Sequence, residues 1–263
     1  MQHKTLSTPD GTIHYWRSAP KASCILFTHG ALMDHGLFQS QVDFFAEKYT
    51  VIAWDVPAHG QSRPFGKFTL QKAANALIHI LDTEKVTKVH LVGQSMGGYI
   101  AQIAAREVPE RILSLTAVGS SPIQPQYYSK LDMWLLSITP FLLRLYPYNY
   151  LIKTIAKQVS TTKAGQSYAL ETLKKLSKPE IVNIMRGVYE GVKAYSQNNT
   201  LPIPVLITLG DLDKSGKVAT YCEAWAAKEN RPLQVINNAA HNANMDNAVA
   251  FNEILDEFLS TIK

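Results

Sequence analysis

Gly93-Gln94-Ser95-Met96-Gly97 follows directly on the apolar run Val89-His90-Leu91-Val92 and leads into a helical pattern that begins near Met96. The pentapeptide reads G-x-S-x-G. A strand that turns at once into a helix presents the central serine at the tip of the bend, with its hydroxyl exposed. Small residues two positions to either side let the backbone fold that tightly. A tight turn that carries serine by chance is the bland alternative, and chance matches rarely fall on a strand-to-helix junction. Ser95 is therefore read as a nucleophile on an elbow.

Outward from that junction, strand-like and helix-like runs alternate. Residues 12–17, 22–28, 51–54, 88–92 and 112–118 read as strands. Residues 37–48, 70–81 and 96–107 read as helices, the first with Leu37, Phe38, Val42, Phe45 and Ala46 near helical spacing. Such alternation implies a mostly parallel sheet covered on both faces. The rhythm breaks from about Ile123 to Leu201, where helical patterns rich in Tyr, Leu and Trp replace strands. In that stretch Ser177 and Glu180 stand at capping-box spacing. Strands resume at 204–209 and 233–237. A last amphipathic helix carries Phe251, Ile254, Leu255, Phe258 and Leu259 on one face. The expected organisation is an α/β core domain from 1–122 and 201–263, interrupted by a helical insertion at 123–200.

Of the 263 residues, 46% are hydrophobic and 18% charged, enough apolar material for a full core, and the net charge is +5. Lysines are spread along the chain, with no basic block interleaved with aromatics, so nucleic acid is not an expected partner. Cys24 and Cys222 match no metal or redox spacing. The N-terminal residues lack an apolar secretory core. The most apolar segment, 127–152, is interrupted by Lys130, Asp132 and Arg144, and its longest uncharged stretch is shorter than the roughly 20 residues a bilayer requires. A soluble, reduced, cytoplasmic protein without a membrane span is expected.

A serine hydroxyl needs a base to take its proton, and the base needs a carboxylate to orient it. In an open parallel sheet, reactive groups gather outside the carboxyl ends of the strands. Gly210-Asp211-Leu212-Asp213 follows the strand that ends at Leu209, and Ala239-Ala240-His241-Asn242 follows the strand that ends near Asn237. Both supply what Ser95 lacks, in the order Ser, Asp, His; on spacing alone Asp211 and Asp213 both qualify.

With these residues in view, the chain resembles the α/β-hydrolase fold family, of the cofactor-free kind with a helical lid. The likeness also rests on Thr28-His29-Gly30-Ala31 and on Asp55-Val56-Pro57-Ala58-His59-Gly60-Gln61-Ser62. The resemblance implies a twisted, mostly parallel sheet of about eight strands, helices on both faces, and a lid over the pocket. It implies Ser95 as nucleophile, His241 as general base, and Asp213, the fourth residue of G-x-x-D, as the acid. Asp211 is then a solvated loop carboxylate, and Asp246 caps the last helix. The oxyanion hole takes backbone N–H groups from Met96 and from Ala31, with Leu32 the fallback; Gly30 is expected to permit an unusual turn there. His29, His59 and Asp55 are expected to be structural, and His35 a surface histidine. Ala58 stands where the family commonly has glycine.

The same residues exclude other chemistries. No clustered ligands suit a metal hydrolase. Gly93, Gly97 and Gly98 do not form a dinucleotide loop. A dehalogenase or epoxide hydrolase of this fold carries aspartate at the elbow. No cofactor or metal is expected. The expected substrate is a small to medium, largely apolar ester or related acyl compound. C–C bond hydrolysis, lactone opening, acyl transfer and cofactor-free peroxidase chemistry use the same triad, and a non-catalytic receptor uses the same scaffold. Some of Tyr127, Tyr128, Trp134, Phe141, Tyr146, Tyr148 and Tyr150 are expected to roof the pocket, and Arg144 and Arg186 are single candidates for an anionic group.

Overall fold

The structure, a computed structural model, describes residues 1–262; Lys263, the end of the expected core segment, lies outside the described residues. In chain order the elements are β1 (Gln2–Thr8), β2 (Gly11–Arg17), β3 (Cys24–Thr28), α1 (Gln39–Phe45), β4 (Thr50–Trp54), α2 (Leu70–Thr83), β5 (Val89–Gln94), α3 (Met96–Glu107) and β6 (Ile112–Val118). Four helices follow without a strand: α4 (Lys130–Leu143), α5 (Tyr148–Val159), α6 (Lys163–Lys174) and α7 (Lys178–Ala194). The chain closes with β7 (Val205–Gly210), α8 (Val218–Glu229), β8 (Leu233–Ile236), α9 (Ala243–Asp246) and α10 (Ala248–Ser260).

One eight-stranded sheet runs in the order β1-β2-β4-β3-β5-β6-β7-β8. The β1–β2 and β2–β4 pairs are antiparallel and the rest parallel. Seven of these strands are visible as apolar runs. β1 is not, because Gln2–Thr8 buries only Leu6, as a polar edge strand does. The helix expected at 37–48 divides into a 3-10 turn, His35–Phe38, capped by the Asp34 carboxylate, and the shorter α1.

Strands β3, β4, β5 and β7 are buried along their whole length, so they read as continuous apolar runs rather than alternating ones. Alternate residues feed two cores. Leu26, Ile52, Trp54 and Leu91 pack with α2 and α3 on one face. Ile25, Phe27, Val51 and Val92 pack with α1 and α10 on the other. The inserted helices join both: Val188 and Val192 of α7 belong to the first core, Leu151, Ile152 and Leu173 of α5 and α6 to the second. The Ser177–Glu180 capping box is present at the start of α7.

From β3 the chain first moves to β4 on one side, then crosses to β5 on the other. That reversal opens a crevice at the carboxyl ends of β3 and β5, the place where open α/β sheets bind ligands. The His29–Ala31 turn and Ser95 stand there.

Candidate active site

Ser95 occupies the bend between β5 and α3 with φ 50° and ψ −116°, a conformation that L-residues adopt only under constraint. Three hydrogen bonds hold it. Its N–H donates to the Val118 carbonyl at 2.9 Å, and its own carbonyl accepts from the Gly98 N–H at 2.9 Å and the Ser120 hydroxyl at 2.8 Å. The flanking glycines are required by close approach. A Cβ on Gly93 would lie 2.5 Å from the Gly98 nitrogen, and one on Gly97 would lie 2.8 Å from the His29 carbonyl oxygen.

Asp213 and His241 come together from the loops after β7 and β8. His241 Nδ1 and Asp213 Oδ2 are 2.8 Å apart, and the Asp213 side chain is fully buried. Burial alone would raise the Asp213 pKa. The hydrogen bond and charge of His241, with the Ser215 N–H at 2.8 Å, outweigh it and hold the carboxyl below its ordinary value. Asp211 makes no such contact. It is an exposed loop carboxylate, as expected, and its Oδ1 also accepts the Ala239 N–H at 3.0 Å, which braces the His241 loop.

A cavity of about 390 Å³ is lined by Ser95, His241, Ala31 and Met96 together. Among the described residues, neither the Ala31 nor the Met96 N–H donates to a protein acceptor. A larger cavity of about 470 Å³ lies between the Arg63–Phe68 loop and α7 and touches none of these four residues. The turn beside the smaller one differs from expectation in one respect. The left-handed residue is Leu32, φ 68°, and not Gly30. Gly30 is needed for a different reason: a Cβ there would run into the Gln94 side-chain oxygen.

Two other expectations are corrected. Asp246 does not cap α10, whose N-cap is Asn247. Its carboxylate instead accepts the N–H groups of Ala240 at 2.9 Å and Thr161 at 3.0 Å and the Ser160 hydroxyl, clamping the α5–α6 connection to the His241 loop. His35 is not a free surface histidine. It pairs with Asp55 at 2.8 Å and stacks on Trp16. Of the seven aromatics, some of which were expected to roof the pocket, Tyr128 does line the cavity, but Trp134, Phe141, Tyr146 and Tyr150 are exposed and roof nothing. His29 is held between the Gly30 carbonyl at 2.7 Å and the Val56 N–H at 3.0 Å, with Nε2 as acceptor. Nδ1 must therefore carry the proton, and burial keeps the ring neutral.

Sequence reading missed two sets of residues. Gln94 is buried, and its amide donates to the His241 carbonyl at 3.0 Å. Tyr99, Ser121 and Tyr128 form a hydroxyl chain on the cavity wall, with links of 2.7 and 2.9 Å. Tyr99 was within reach, because it falls one helical turn after Ser95. Burial keeps both tyrosines protonated, so they act as neutral donors.

The family described as the alpha/beta hydrolase fold matches residues 24–248. The chain belongs to that family. Among relatives of this α/β hydrolase, a 3-oxoadipate enol-lactonase of Acinetobacter baylyi is 34% identical over 38% of each chain. A 2-hydroxy-6-oxononadienedioate/2-hydroxy-6-oxononatrienedioate hydrolase of Burkholderia vietnamiensis is 24% identical over 95% of this chain and 92% of its own. Several curated relatives are matched over less than half of their own length, between 29% and 43%. A thermophilic esterase from Thermogutta terrifontis superposes with a TM-score of 0.82 over 99% of both chains at 18% identity, a likeness of fold. The α/β hydrolases related to this chain thus include esterases, lactonases and a C–C bond hydrolase. Among the described residues no group of side chains is arranged to hold a metal ion, and no helix is long and apolar enough to cross a membrane.

Proposed function

We propose that this α/β hydrolase cleaves a carboxylic ester or related acyl bond through an acyl-enzyme on Ser95. The observation that carries the reading is the Asp213–His241 pair at 2.8 Å beside a cavity whose wall also holds Ser95 on a strained bend. His241 takes the Ser95 hydroxyl proton as the oxygen attacks the carbonyl carbon. The tetrahedral oxyanion is stabilised by the Ala31 and Met96 N–H groups, and the leaving group departs with the proton held by His241. Water then attacks the acyl-enzyme with the same histidine as base, releasing the acid and free Ser95. Asp213 stays ionised and fixes the imidazole tautomer. No cofactor takes part.

The substrate follows from the walls. Leu136, Leu143, Ile155, Met185, Val188 and Val192 make most of the cavity apolar, and the tyrosine–serine chain supplies a short polar edge. That suits a small to medium apolar acyl compound. In this reading the segment 123–200 acts as a lid, since α4, α5 and α7 contribute the apolar wall. Arg144 and Arg186 do not line this cavity, and Lys217, which does, is paired with Asp132 at 2.8 Å, so a dianionic substrate is disfavoured. Lactone opening is the same acyl chemistry, and the enol-lactonase relative favours including it.

A panel of p-nitrophenyl esters of increasing acyl length, with a γ-lactone series beside it, tests the proposal. Turnover and fluorophosphonate labelling should both vanish in Ser95→Ala. Retained turnover in that variant would overturn the mechanism. A parent protein that neither turns over nor labels would point to a ligand-binding role on the same scaffold.

A further inference from the structure

Helix α4 is apolar on a side that none of the described residues covers. Leu136, Thr139 and Leu143 face the Ser95 cavity. Leu131, Trp134, Leu135, Phe141, Leu142 and Leu145 are exposed, Trp134 at 57%, Phe141 at 61% and Leu145 at 66%. From Leu131 to Leu142 the spacing, i, i+3, i+4, i+10 and i+11, is one stripe of a 3.6-residue helix, and Leu145 follows in the turn after it. Within α4 only Asp132 and Pro140 are buried. Tyr146 and Tyr150 extend the patch past the helix end, stacked with centroids 5.9 Å apart. Soluble monomers rarely leave so continuous an apolar surface open unless it meets something.

Charge identifies what it meets. Between Tyr127 and Ser160 stand four cations, Lys130, Arg144, Lys153 and Lys157, and one carboxylate, Asp132. All four cations are exposed. Asp132 is buried and paired with Lys217 at 2.8 Å, so the segment presents no carboxylate to solvent. Lys153 and Lys157 follow Tyr150 at i+3 and i+7, on its face of α5. A second copy would set these cations against their own kind. An anionic phospholipid layer supplies hydrocarbon for the stripe and phosphate for the rim. At 14 residues, α4 is about 21 Å long, shorter than the roughly 30 Å hydrocarbon core, so it lies in the surface rather than across it.

We propose that α4 and the turn after it seat this protein on an anionic phospholipid surface, with Trp134, Phe141 and Leu145 in the acyl layer and Lys130, Arg144, Lys153 and Lys157 against headgroups. Because the same helix lines the Ser95 cavity, docking brings that cavity to the lipid. The docking itself does not depend on the chemistry assigned to Ser95.

Flotation with vesicles of phosphatidylcholine alone, or with 30 mol % (about a third) phosphatidylglycerol, tests it. The full chain should float with the anionic vesicles, with a blue shift of tryptophan emission. Trp134→Ser with Phe141→Ser, or Lys153→Glu with Lys157→Glu, should lower binding about tenfold or more. These variants should keep the parent's circular dichroism and its turnover of a soluble short-chain ester. Ser95→Ala should bind like the parent, so loss of chemistry and loss of docking are read apart. No binding to anionic vesicles, equal binding to neutral ones, or binding unchanged in both double variants would overturn the proposal. So would a self-associated dimer that Trp134→Ser dissolves without any vesicle binding.

Discussion

The Gln94 side-chain amide donates to the His241 carbonyl at 3.0 Å, which ties the residue before Ser95 to the backbone that carries the imidazole. The bond is buried at both ends. In Gln94→Ala the His241 carbonyl loses its donor and a cavity opens beside Gly30. The expected cost is about 2–3 kcal/mol of stability, from an unsatisfied carbonyl plus lost packing. A looser histidine should lower kcat roughly tenfold with KM little changed. Steady-state kinetics on a soluble ester and urea unfolding read both; unchanged kcat would show that the Asp213 pair alone positions the ring.

The two aspartates after β7 make a paired test. Asp213→Asn keeps the shape but offers an amide to His241 Nδ1, favouring the wrong tautomer, and kcat should fall by about 10³–10⁴. Asp211→Asn keeps the oxygen that accepts the Ala239 N–H, so turnover should stay within about twofold and stability within about 1 kcal/mol. Equal losses in both variants would defeat the assignment of Asp213.

Two L-residues with positive φ separate strain that serves the site from strain that does not. Ser95 has φ 50° and Ala58 φ 67°. Strain at such positions costs about 1–3 kcal/mol, and the greater freedom of glycine in the unfolded chain offsets about 0.4–1 kcal/mol of any relief. Ser95→Gly should therefore be more stable by about 1 kcal/mol and inactive. Ala58→Gly should gain about 0.5 kcal/mol, a Tm rise of one or two degrees for a chain of this size, with activity retained. Differential scanning fluorimetry of the two variants checks the sign in each case.

How much was legible depended on whether a residue's role was local. The elbow, α3 and the Ser177 cap are set by neighbours in sequence, and periodicity or capping chemistry exposes them. Strand positions were readable because fully buried parallel strands are uninterrupted apolar runs. β1 was hidden, since an edge strand with one buried residue carries no apolar period. Asp246, His35 and Gln94 were misread or missed for a shared reason. Their partners lie 86, 20 and 147 residues away, and no local pattern announces a carboxylate that clamps a distant loop. The aromatics of α4 were candidates for the roof, and their outward stripe is visible only once the cavity-facing side of that helix is known.

Acid sensitivity follows from the buried histidines. Burial, reinforced by His29, pushes His59 down to about 3, and burial pushes His90 down to about 4. In the unfolded chain both titrate near 6.5. Between those values the unfolded state binds more protons than the folded one, so stability rises with pH. The contribution is complete above about 6.5 and is lost as pH falls toward the folded values, with His59 giving a slope of about 1.4 kcal/mol per pH unit. Asp55 and Asp213 are also depressed. Burial opposes that shift at both sites and is outweighed by hydrogen bonds and charge from His35 and His241. Their contributions fail only below the ordinary carboxylate range, so the window from 6.5 to 4 belongs to the histidines. Urea unfolding at pH 7.5, 6 and 5 should show the parent losing stability steadily below 6.5. His59→Asn, which keeps a donor for the Pro57 carbonyl that His59 Nδ1 meets at 3.0 Å, should lose it less steeply. The slope carries the test, whatever the variant's absolute stability; a parent curve flat from 7.5 to 5 would place the acid limit on the carboxylates instead.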